Sequence, residues 1–106
     1  MDKTAVIVAD ATGAIRFWSA GAEAAFGHPA GVALGQTLDL IVPPDFRDAH
    51  WIGFRRAVET GVAGVEGLTT PFPVRCADGR VAEAPGRLTL VRAPHGQVVG
   101  AMVVFG

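Results

Sequence analysis

The sequence has no tyrosine, one cysteine and one serine, and no run of one charge sign. A single thiol, Cys76, cannot close an internal disulfide, and it cannot build a zinc site unaided. Ser19, the only serine, stands before a short helical pattern and reads as an N-cap. No nucleophile–base pair, no paired carboxylates and no Gly-rich phosphate loop after a strand are found. His28 and His95 fall in turn-like segments. The expectation is therefore a protein that is not an enzyme. Nine Lys/Arg and ten Asp/Glu are intermixed, for a formal net charge of −1, so no basic stripe points to a nucleic-acid partner. The apolar run Thr4–Ala9 is too short for a membrane span and lacks the flank and cleavage pattern of a signal peptide. A reducing, cytoplasmic location is expected, and a soluble domain cut from a larger protein would look the same.

What the sequence does hold is enough apolar residue for a core: 50% hydrophobic against 18% charged over 106 residues. That length is one domain, and so small a core is naturally supplemented by dimerisation. Ala5–Ala9 reads as a buried strand, Asp10–Gly13 as a turn and Ala14–Trp18 as the returning strand. Ala20–Phe26 is a short helix ending at Gly27, Gly31–Gly35 a loop or one further turn, and Leu38–Val42 an apolar stretch stopped by Pro43-Pro44. Asp45 to about Thr60, closed by Gly61, is the strongest helix. Its apolar stripe runs Phe46, His50, Phe54, Ala57, with Trp51 and Val58 beside it and Arg47, Asp48, Arg55, Arg56 and Glu59 toward solvent. Gly67–Cys76, Arg80–Arg92 and Gln97–Phe105 are three further strands, joined by turns at Ala77–Gly79 and Ala93–Gly96. The order predicts an α+β protein: a five-stranded antiparallel sheet with the helices packed on one face.

Three passages carry a family resemblance. Asp10-x-x-Gly13-x-Ile15-x-x-Trp18-Ser19-x-Gly21-Ala22-Glu23-x-x-Phe26-Gly27 resembles the opening hairpin and first helix of PAS domains. Gly35-x-x-Leu38-Asp39-Leu40-Ile41-Val42-Pro43 and Arg75-Cys-Ala-Asp78-Gly79-Arg80 resemble two later motifs of that family. The resemblance covers essentially the whole chain and implies a single PAS sensory domain over residues 1–106, a signal-input module with a small-molecule ligand. A homodimer or a signalling output domain would be its partner.

Ile41-Val-Pro43-x-x-x-Arg47-x-x-His50-x-x-Phe54, followed by Thr60-Gly61, is more pointedly similar to the haem PAS domains of FixL-type oxygen sensors. That likeness implies haem b, with His50 on the iron and a diatomic gas as the signal. Phe46, Trp51, Phe54, Leu88 and Leu90 would then surround the ring, with Val103 nearby. Where those sensors carry an arginine that responds to oxygen, this chain has Thr70, so no cation would face the iron's open side. Met102, in the last strand, has a thioether that can serve as an axial ligand. Each assignment has a plainer counterpart. His50 also fits a half-buried histidine bonded to a backbone carbonyl, Met102 fits core filling, and Trp51 fits packing or a dimer surface. The photosensory relatives are disfavoured. Cys76 lies far from the flavin-bonding position, and the coumaroyl class relies on tyrosine. The same pocket would serve a small metabolite, and a cofactor-free interaction and dimerisation module is the alternative from another class.

Overall fold

The computed structural model describes residues 4–106; Met1–Lys3 lie outside the described residues. The elements are β1 (Ala5–Asp10), β2 (Ile15–Trp18), α1 (Ala20–Phe26), α2 (Ala30–Ala33), α3 (Arg47–Thr60), β3 (Thr69–Arg75), β4 (Val81–Arg92) and β5 (Val98–Phe105), with 3-10 turns at Leu38–Leu40 and Pro44–Phe46. The strands form one five-stranded sheet in the order β2-β1-β5-β4-β3, every neighbour antiparallel. The expected α+β fold, a five-stranded antiparallel sheet with helices packed on it, is the observed one, and the helices number three.

Local chemistry explains the joints. The Asp10 carboxylate accepts hydrogen bonds from Thr12 Oγ1 at 2.6 Å, Thr12 N at 2.9 Å and Ala14 N at 3.1 Å. Arg16 Nε adds a charged contact at 2.7 Å. The hydroxyl of Thr12 first, then Arg16, holds this carboxyl well below the usual range. Gly13 takes φ +86°, which the β1–β2 turn requires and a side chain would resist. Ser19 Oγ caps α1 by accepting from Ala22 N and also accepts from Val6 N at 2.8 Å, tying helix to strand. Gly61, left-handed at φ +75°, ends α3.

Most elements match the pattern reading, with small shifts at their ends. β2 starts at Ile15, because Ala14 bridges Thr37 instead. α2 is the one further turn that the sequence left open against a loop, and it begins at Ala30. β3 starts at Thr69 rather than Gly67 and stops at Arg75, since Cys76 N turns to Arg80 O. Pro71 and Pro73 are tolerated in β3 because it is an edge strand. Pro85 of β4 lies before Gly86, where pairing with β5 begins. Arg47 departs from its expected solvent position: it is half-buried and donates to Val42 O at 3.1 Å and Asp39 O at 3.2 Å.

Strand alternation gives the sheet two faces. Ala5, Ile7 and Ala9 of β1 are buried, while Val6 and Val8 between them are half-exposed. The inner face packs in two clusters. The larger joins Ile7, Ile15, Trp18, Ala22, Phe26 and Val74 under α1 and α2. The smaller has only Ala57, Leu90, Val98 and Ala101 as buried members, under α3. Filling is therefore uneven, and the gap lies on the α3 side.

Candidate functional site: an apolar cavity under helix α3

That gap is a cavity of about 440 Å³. Its floor is the inner face of the sheet, with Ile7, Ala9, Ala101, Val103, Leu88 and Leu90 among the lining residues. α3 forms the roof through Ala49, His50, Gly53, Phe54, Arg56 and Ala57. Ile41 and Val42 close one end, and Val62–Val65 line the other side. Positions 49, 53 and 56 and positions 50, 54 and 57 are two adjacent rows at helical spacing, so one broad face of α3 looks into the space. A Cβ built on Gly53 would meet nothing within 4 Å, so this position leaves open space beside the cavity.

His50 is held in an aromatic cluster. Its ring lies edge-on to Trp51 at 4.8 Å between centroids and tilted against Phe54 at 5.9 Å. Its Nδ1 is buried with no hydrogen-bond partner. Burial pushes the imidazole below the ordinary histidine value, and the Asp39 carboxylate opposes this in part. On balance the charged form of the ring is disfavoured.

The helix is anchored by the 3-10 turn before it. Trp51 Nε1 donates to Asp39 Oδ1 at 2.7 Å, and Arg47 Nε lies 3.8 Å from the same oxygen. The Trp51 ring occupies the space above Gly13: a Cβ there would lie 2.3 Å from it. At the other end, the segment after α3 is pinned to the free edge of β4. Gly67 N donates to Leu88 O at 2.9 Å, and Leu90 N donates to Glu66 Oε2 at 2.8 Å. Arg92 grips Glu66 at 2.9 Å and also donates to Gly61 O at 2.9 Å. Arg92 first, then the Leu90 amide, lowers the Glu66 carboxyl.

Of the residues singled out from sequence, His50, Phe54, Leu88, Leu90 and Val103 come together at the cavity. Four do not. Phe46 is 50% exposed in the turn before α3. Trp51 faces Gly13 and Asp39, one row away from the cavity. Thr70 sits opposite Gly86, on the inner face but outside the lining. Met102 pairs with Val8 and Thr89 while its neighbour Val103 faces the cavity, so the two-residue period sends Met102 to the outer face. Met102 is therefore absent from the cavity lining. Cys76 is buried at the sheet end, its Sγ 4.0 Å from Val74 O. Sequence reasoning missed Gly53, Arg56 and Val62–Val65. Arg56 read as solvent-side and is exposed, but it also borders the cavity, beside a stripe drawn through Phe46, His50, Phe54 and Ala57; 62–65 carry no periodic signal.

Among the described residues no three His, Cys, Asp or Glu side chains cluster as a metal-ligand set, and no helix is long and apolar enough to cross a membrane. The fold and the cavity define a small α+β module built around an apolar space that opens to solvent on one side. A PAS-fold family profile matches residues 3–105, and the chain belongs to the PAS family. It is 37% identical over 87 residues to an uncharacterised protein of Azorhizobium caulinodans. The match takes in 81% of this chain but 12% of that protein. The PAS domain of a Colwellia psychrerythraea protein superposes with a TM-score of 0.82 at 22% identity, covering 99% of this chain and 86% of that one. The PAS domain of the Cronobacter turicensis RpfR quorum-sensing receptor, solved in complex with BDSF, gives 0.76 at 13% identity, covering 99% and 93%.

Proposed function

We propose that the chain is the ligand-sensing input domain of a signalling protein, and that it binds its ligand without transforming it. The observation that carries this is the apolar cavity of about 440 Å³ between α3 and the sheet. Its volume is in the range of small-molecule sites. A fold neighbour that takes BDSF and C12:0 supports the reading. A ligand there would bias the packing of α3 against the sheet, and the sheet face or termini would pass that bias to a partner.

Haem b is the sharpest form of this reading, and His50 favours it. A neutral imidazole on an apolar wall, with one nitrogen unsatisfied, fits an iron-binding role. His50 would hold the metal while Phe54, Leu88, Leu90 and Val103 cover the ring. Such a haem would supply an open coordination position for a diatomic gas. Purified protein, or protein titrated with hemin, should show a Soret band that disappears in His50→Ala. Protein that stays colourless and takes up no hemin rejects this form and leaves the cavity to another small molecule, which mass spectrometry of denatured protein would identify.

A cofactor-free dimerisation module is the second reading. The outer face of the sheet favours it, with Val6, Val8, Phe17, Met102 and Val104 side by side across three strands.

A further inference from the structure

We infer that the cavity takes an amphipathic carboxylate, with the apolar chain inside and the carboxylate on the guanidinium of Arg56. This rests on the ligand-cavity reading and names the chemistry that the site selects.

Three observations carry it. First, the lining is apolar except for two side chains, His50 and Arg56. An occupant must then be mostly hydrocarbon, because polar groups set against such walls would lose water without replacement. Second, Arg56 is the one charged residue of the lining, and it is also exposed to solvent. That suits an arginine whose stem lies on apolar surface while its head stays wet at the rim. Third, the guanidinium is uncommitted. The ion pairs among the described residues are Arg16–Asp10, Arg47–Asp39 and Arg92–Glu66. Glu66, next to cavity-lining Val65, is held by Arg92 and the Leu90 amide.

The fork of an arginine matches a carboxylate bidentately, which a hydroxyl cannot reproduce. His50 and Arg56 stand six residues apart on α3, so about 9 Å of helix separates rim from interior. The chain of the ligand would run along that length, past Gly53.

The test uses three amphiphiles of one chain length: decanoate, decanol and decyltrimethylammonium. Binding is read by calorimetry below their aggregation concentrations. The expected order of affinity is decanoate, then decanol, then the cation, with about fivefold or more between the first two. Arg56→Gln should lower decanoate to the level of decanol and leave decanol unchanged. Arg56→Glu should invert the preference between decanoate and the cation. Gly53→Leu should weaken all three by filling the cavity. Equal binding of decanoate and decanol by the native chain, or no response to Arg56→Gln, overturns the inference and leaves the cavity reading standing. Failure of all three to bind overturns the inference. If Gly53→Leu also changes no ligand recovered with the native protein, the cavity reading falls with it.

Discussion

His50 sits where two influences oppose each other. Burial disfavours its charged form, and the Asp39 carboxylate favours it, with burial the larger. Its folded-state pKa is therefore below that of the unfolded chain. Above about pH 6.5 both states hold it neutral and no proton is at stake. As pH falls through that value the unfolded chain takes up a proton that the folded one resists, so folding is weakened. We expect urea midpoints to fall between about pH 7 and about pH 5, and the fall to shrink in His50→Leu. An unchanged pH profile in that variant would show that the ring is not the group responsible. The inward position of His50 was legible in the sequence because helical spacing places it between aromatic residues. The outward position of Met102 was not. Its face depends on strand parity, and parity is fixed only once Ile7 is set against Val103. Arg56 was hidden for a related reason. A stripe drawn through the bulkiest residues misses a face that small ones, Ala49 and Gly53, hold open.

At the scale of elements, the segment between α3 and β3 departs furthest from what pattern alone suggests. It has no period, so sequence offered only a connection. Its placement comes from backbone need. β3 pairs with β4 only as far as Arg87, leaving the edge of β4 beyond it without a strand neighbour. The Glu66 carboxylate and the Gly67 amide meet that edge in place of a sixth strand. Such a side-chain substitution is specific but thin, since one carboxylate satisfies both a strand amide and Arg92. Glu66→Gln should leave the sheet intact while loosening residues 62–67. Amide exchange at Leu90 and ligand dissociation should both speed up, by about fivefold. Unchanged rates would mean that the wall is held by its apolar contacts alone. The hairpin turns, by contrast, were legible, because Asp10 to Gly13 and Asp78-Gly79 state them in local chemistry.

For the whole molecule, the outer face of the sheet is the surface with most at stake. Phe17 is 49% exposed there, and Val104 pairs with Val6 across the strands. If this face makes a dimer, Val104→Glu should weaken self-association about tenfold or more in sedimentation velocity, because a charge would be buried without a partner. Ligand binding should persist, since Val103, not Val104, lines the cavity. Identical sedimentation of the two proteins would count against that surface. The two inner clusters differ in another respect that bears on how the fold behaves in time. The half under α1 and α2 is filled by indole and phenyl rings, and the half under α3 has only two alanines, a leucine and a valine fully buried beside a space. The chain therefore resembles a stiff frame carrying one loosely seated shutter. Brief excursions would lift α3 away while the first hairpin holds its place. A guest molecule would act chiefly as a latch, suppressing those excursions and so reporting its presence through the lifetime of the closed form rather than through a new shape.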